Sequence, residues 1–279
     1  MSHRRTLLYD DLILPLLQRM INLEQLFLYL LLVRNNKDYI DGDQLDDDIL
    51  IYMPRLNKFS FNIDTYIEKN NNQIVFSSNE DIQRSFKRKE YGSVSSLVEY
   101  FTNQKERCCH ICAMPYQYRS RCHIYSLPYQ FEDFAFLTNS FQGGILESVL
   151  SLIMTDCCSF EHNFFKLISQ SFPLLKQLII RNNEPQKEKQ QSMTLIKFSH
   201  LIVLNIASAH TDYAEQFLVD KYCQLPHLLN LSIGYESLAR VTNNFTNDAT
   251  RFTCSQLTSI SINESFVLPK NFHQYFPLL

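Results

Sequence analysis

The residues of this chain best spaced for chemistry are Cys109-x-x-Cys112, with Cys122-His123 ten residues further on and Cys108 and His110 close by. Two thiolates at that spacing take two corners of a tetrahedral zinc site, and two further thiolates or imidazoles complete it. The second half of such a site is poor here, because adjacent residues rarely both reach one ion. The expectation is a Cys-rich loop of reduced thiols with no metal and no cofactor. Cys109, Cys112, Cys122 and His123 are the ligands a metal would have to use.

Thiol catalysis needs more than a thiol. With eight Cys and eight His in the chain, a Cys–His pair arises by number alone, and no Gly-rich turn that would hold an oxyanion accompanies any of them. The chain has five Gly in all, so phosphate-cradling glycine loops are absent too. The acidic run Asp41–Asp48 lacks the residue order of a calcium loop. Asp43 reads instead as a helix cap, with Asp46–Asp48 in the first turn, where the helix dipole favours negative charge. The expectation is a chain that is not an enzyme. The alternative is a thiol-dependent enzyme using Cys109 or Cys112, which an acidic thiol would reveal.

The apolar residues are spaced more regularly than the reactive ones. Leu175-x-x-Leu178-x-Ile180-x-x-Asn183 has the order of a leucine-rich repeat. Leu201-x-x-Leu204-x-Ile206 follows 26 residues later, Leu228-x-x-Leu231-x-Ile233 after 27 more, and Leu257-x-x-Ile260-x-Ile262 after 29. Val149-x-x-Leu152-x-Met154 lies 26 residues ahead of Leu175, and Cys122-x-x-Tyr125-x-Leu127 lies 27 ahead of that. Leu23-x-x-Leu26-x-Leu28 and Leu56-x-x-Phe59-x-Phe61 stand near the start, 33 apart. One such unit cannot bury its apolar side alone and needs copies beside it.

This periodicity predicts an α/β fold, a leucine-rich-repeat solenoid or horseshoe, with a concave parallel sheet and convex helices. It would be a single domain over 1–279, with strands near 25–29, 58–62, 124–127, 151–155, 177–181, 203–207, 230–234 and 259–263. An irregular insertion is expected over 102–121, and Val94, Leu97, Val98 and Phe101 are expected to form one helical stripe. The competing architecture is an ordinary α/β domain of alternating helices and strands.

Side chains alternate along each strand, so every second residue would face solvent on the concave side. These include Phe27, Tyr29, Lys58, Asn62, Ile153, Gln177, Ile179, Arg181, Asn205, Asn230 and Ser261. The set is rich in Ser and Asn and sparsely charged, which suits a protein partner. A formal net charge of −3 argues against a nucleic-acid footprint. Leu23–Val33 is interrupted by Glu24 and Gln25 and is too short to span a bilayer, so no membrane partner is expected. MSHRRTLLYDD turns acidic before any long apolar core, so no signal peptide is read there. Free thiols in the cytoplasm or nucleus are then the expected state of the cysteines.

The phrases YIDGDQLDDDILIYMPRLNKFSFNI, RCHIYSLPYQFEDF, FPLLKQLIIRNNEPQKEKQQS, AHTDYAEQFLVDK and NFHQYFPLL carry a family resemblance. From about residue 20 onward, the chain resembles the repeat half of F-box/leucine-rich-repeat proteins. The resemblance implies a repeat array that holds a substrate protein, beside an F-box that docks on the adaptor of a cullin-type ubiquitin ligase. Residues 1–20 are too few for an F-box, so the expectation is a substrate-recognition scaffold, with the ligase adaptor as partner if an F-box exists upstream. A stand-alone interaction or structural repeat protein is the alternative.

Overall fold

The computed structural model describes residues 6–34, 38–68, 77–100, 118–187, 194–263 and 267–279. They form two compact units, the first running to Phe131 and the second starting at Glu132.

In the first unit the apolar run QLFLYLLLVR forms β1 (Gln25–Arg34), which pairs in parallel with β2 (Lys58–Glu68) over its full length. Between them, Asp41 starts the helix Gly42–Asp48, its carboxylate accepting from Gln44 N at 2.8 Å. Asp41 is therefore the cap expected of Asp43, and the helix begins two residues earlier than Asp43 would allow. β3 (Ser93–Tyr100) and β4 (Tyr118–Leu127) complete a four-stranded sheet of order β1-β2-β4-β3. β4 runs antiparallel to both of its neighbours. One face of this sheet is apolar. Leu26, Leu28, Phe59, Phe61, Ile63, Cys122 and Ile124 pack there with Ile40, Leu45 and Ile49.

The second unit contains β5 (Asp133–Leu137), β6 (Ser151–Thr155), β7 (Gln177–Asn182), β8 (Ile196–Lys197), β9 (Val203–Ala209), β10 (Cys223–Gln224), β11 (Asn230–Ile233) and β12 (Ser259–Ile262). Six of them make a parallel sheet of order β12-β11-β9-β7-β6-β5, and β8 pairs with β10. Leu152, Leu178, Leu204, Leu231 and Ile260 stand side by side across it. The first four of these are buried. Helices His162–Ser171, Thr211–Leu218 and Tyr235–Val241 lie in the connections. Phe165 and Phe217 meet edge to face at 4.9 Å, and Phe165 meets Tyr213 at 5.9 Å. Such pairs add to the burial of their rings.

A solenoid running through 1–279 is not what forms. The fold is mixed α/β in two units. In the first, the parallel ladder stops after one pair, because the free edge of β2 is taken by antiparallel β4. A repeat stack requires each new strand to add in parallel on the same edge, and an antiparallel neighbour ends that progression. The segment expected as a strand near 124–127 is the end of β4, and residues 118–121 of the expected insertion belong to the same strand. Val94, Leu97 and Val98 lie on β3 rather than on a helix, and Phe101 falls outside the described residues. In the second unit, the β5–β6 connection holds no helix, and the described part of the β7–β9 connection holds β8, so among the described residues the helices do not recur with every strand.

Candidate functional site

The outward face of the six-stranded sheet is set by strand alternation. Leu178, Ile180 and Leu204 turn inward, which leaves Gln177, Ile179, Arg181 and Asn205 on the opposite side. Backbone register places these in rows. Ser151, Gln177, Val203, Asn230 and Ser259 form one, and Ile153, Ile179, Asn205, Ser232 and Ser261 form the next. Gln177, Ile179, Arg181, Asn205 and Asn230 are half-buried, and Ser261 is exposed. Ile153, expected in the same surface, is only 7% exposed and is closed to a partner. A register shift between Ile179 and Arg181 sets Arg181 opposite Ser208. Asn205 is held in place by accepting from Ala207 N at 3.2 Å.

The first unit treats its expected surface residues differently. Phe27 is 49% exposed, and the Lys58 ammonium lies over its ring at 5.1 Å. Tyr29 is half-buried and edge-on to Phe131 at 5.5 Å. Asn62 does not reach the surface, being 2% exposed. Its amide donates to the Tyr129 hydroxyl at 2.5 Å, and its oxygen meets His123 Nε2 at 2.5 Å. Assigned this way, the amide makes Nε2 the protonated nitrogen of a neutral imidazole.

Of the expected metal ligands, Cys109 and Cys112 lie outside the described residues. Cys122 and His123 do not converge. They are neighbours on β4, so Cys122 enters the apolar core while His123 faces Asn62 on the other side of the sheet. Burial pushes the Cys122 thiol well up and holds the His123 imidazole well below its usual range, with the nearby Arg121 guanidinium lowering His123 further. A protonated buried thiol is neither a nucleophile nor a ready ligand.

Sequence reasoning missed the charged cluster on the same sheet face. Arg121 donates to Asp64 through Nε at 2.6 Å and through a terminal nitrogen at 2.9 Å, and to Glu99 at 3.2 Å. Its guanidinium lies 5.7 Å from the centre of the Tyr66 ring. Burial works against the Arg121 charge, but Asp64, Tyr66 and Glu99 outweigh it and keep the guanidinium firmly protonated. The available signal was the alternation of Asn62, Asp64 and Tyr66 with apolar residues. That pattern reads as a solvated face when nothing shows that the face is covered. Groups so deeply buried are out of reach of a dissolved substrate, so the cluster orders the sheet.

Asp156, Cys157 and Cys158, just after β6, bring three potential ligand atoms within 4.8 Å of one another. The carboxylate is already engaged. One oxygen accepts from the backbone N–H of Cys157 and of Cys158 (2.6 and 3.0 Å), and the other from Asn139 N and Nδ2 (2.8 and 3.1 Å). With its lone pairs committed to the turn, Asp156 serves as a backbone anchor.

No helix among the described residues is long and apolar enough to cross a membrane. No family model, curated protein or solved structure matches the chain.

Proposed function

We propose that the chain is a non-enzymatic binding protein that holds a protein partner on the outward strand face of its second unit. The observation that carries this reading is the surface of Gln177, Ile179, Asn205 and Asn230, half-buried and uncharged on three adjacent strands. Apolar and amide side chains on a fixed backbone lose little further entropy on contact. With Arg181 as a charge within the surface, they offer the mixture that protein interfaces use.

The test is affinity purification of the tagged chain from its own cells beside Ile179→Asp and Asn205→Arg variants, with the bound proteins identified by mass spectrometry. The reading expects proteins that co-purify with the wild type and are lost from both variants. An identical set from all three chains would remove this face from consideration. A cullin adaptor among the lost proteins would assign the chain to ubiquitin ligation, and other proteins alone would make it a stand-alone scaffold.

A further inference from the structure

In the first unit β1 ends the sheet, and among the described residues only Thr6 is bridged to its outer edge, opposite Leu32. Thr6 N donates to Leu31 O at 2.8 Å, and Val33 N donates to Thr6 O at 3.0 Å. Leu31 and Val33 therefore turn their backbone groups outward. The two-residue alternation of a strand carries the same direction to Gln25 and Phe27, and no described strand pairs with them on that side. The stretch QLFLYL that begins at Gln25 holds no charged residue and no Pro, the devices that blunt a sheet edge.

An apolar ridge lies over the same edge. The π-helical turn Tyr9–Ile13 runs into the helix Leu14–Leu17 and links Thr6, outside β1, to β1 itself. Tyr9, Leu14 and Leu17 enter the apolar core beside Leu26 and Leu28. Gln18 donates to Asp48 O at 3.1 Å, so that flank faces the helix Gly42–Asp48. Leu8, Leu12, Leu16 and Met20, four residues apart, form one row on the other flank. Each of the four is between 38% and 59% exposed. Leu7 and Ile21, at the two ends of the row in sequence, are exposed as well. A contiguous apolar row of this kind marks an interaction site, where scattered single side chains would not.

We propose that this edge docks a second copy of the chain about a two-fold axis. β1 pairs antiparallel with β1 of the copy around Phe27, and the two apolar rows pack antiparallel above the joint. Charge complementarity argues for a copy over an unrelated strand. The rows interleave when Leu12 stands level with Gln18 of the copy, between its Leu16 and Met20. The same offset sets Asp11 level with Arg19 of the copy on one flank, and the two-fold axis makes that opposition occur twice. Asp11 and Arg19 are both exposed, and among the described residues no ion pair engages either. The row, its two end residues and the half-exposed Phe27 each offer on the order of 100 Å² to the contact, close in total to the roughly 800 Å² per partner of a standard interface.

The experiment is sedimentation velocity of the full chain over about 0.1–50 μM, the range in which a micromolar dimer dissociates. The expected result is an equilibrium between the 32.9 kDa chain and twice that mass, with nothing larger. Leu16→Glu and Phe27→Lys, both at exposed positions, should each weaken the dimer by about tenfold or more and keep the wild-type circular dichroism. Asp11→Arg and Arg19→Asp should each weaken it by about fivefold, and the double variant, in which the charges exchange places across the axis, should restore it. The proposal is overturned by a monomer throughout the range, or by a dimer that both Leu16→Glu and Phe27→Lys leave intact. Open-ended larger assemblies would overturn it too, since they require head-to-tail contact, as would a double charge variant no tighter than the single ones.

Discussion

Arg121 stands opposite Tyr66 in the β2–β4 ladder, yet its guanidinium grips Asp64, two residues away on β2, through two hydrogen bonds of 2.6 and 2.9 Å. The diagonal works because 64 and 66 share a sheet face. At 2% exposure the guanidinium is surrounded by protein, and Glu99 on β3 accepts from it as well. Three strands are thus joined through one side chain. A pairing slipped by one residue would turn Asp64 toward the apolar core.

Arg121→Met should be costly for that reason. It leaves two carboxylates buried without their cation, and the expected loss is about 3–5 kcal/mol in urea unfolding. The double variant Asp64→Leu/Arg121→Met removes a charge of each sign and should recover part of that loss. A single-variant loss below about 1 kcal/mol would mean that the cluster is far more hydrated than its burial implies.

His123 sets a pH dependence. Its folded-state affinity for protons is well below that of the unfolded chain, first from burial and then from Arg121. The unfolded state therefore takes up the proton first as pH falls. The stabilisation is complete above the unfolded pKa of about 6.5 and is lost progressively below it, down to the folded value. The urea midpoint of the wild type should drop between about pH 7 and pH 5, and His123→Gln, which keeps an amide opposite Asn62, should flatten that part of the curve. An unchanged slope in the variant would assign the acid sensitivity to other groups.

The interval of the repeat pattern was informative about packing, and its polar positions were not. Leu152, Leu178, Leu204 and Leu231 do stand in one row, because strands recurring at near-constant spacing bury the same alternate positions. The pattern around Leu26 and Phe59 looks the same, yet there the growth of the sheet is ended by an antiparallel strand from residues 118–127. No local property of β2 announces that partner. Strand pairing across more than fifty residues is decided by tertiary packing, not by the spacing of leucines. The same blindness turned Asn62 into an expected surface residue. Polar alternation is identical whether water or protein covers the face.

The cysteines should separate by reactivity. Burial pushes the thiols of Cys122, Cys223 and Cys254 up, Cys254 to about 12. Cys158 is exposed. Limited iodoacetamide treatment of the native chain at about pH 8, near an ordinary thiol pKa, followed by peptide mapping, should label Cys158 while leaving the three buried thiols intact. Those three should react only in denaturant. Early labelling of Cys223 or Cys254 would show that the second unit opens locally on the timescale of the reaction.

Gly42 marks a backbone contact that tolerates no side chain. Its N–H donates to Ser85 Oγ at 2.6 Å, and its carbonyl accepts from the Tyr91 hydroxyl at 2.7 Å. The start of the helix Gly42–Asp48 is thereby pressed against the end of the helix Asn79–Ser85. A Cβ at position 42 would stand 2.6 Å from the Ser85 carbonyl carbon and oxygen and 2.7 Å from Phe86 N. These are backbone atoms of a capped helix, so relief requires moving the helix rather than rotating a side chain. In an exposed helix interior Gly→Ala is favourable, by roughly 0.5–1 kcal/mol. Here the sign should reverse, with Gly42→Ala lowering stability by about 1–3 kcal/mol, the usual cost of overpacking. Thermal unfolding of Gly42→Ala beside the wild type decides it. An unchanged or raised midpoint would show that the two helix ends lie further apart in solution than this contact requires.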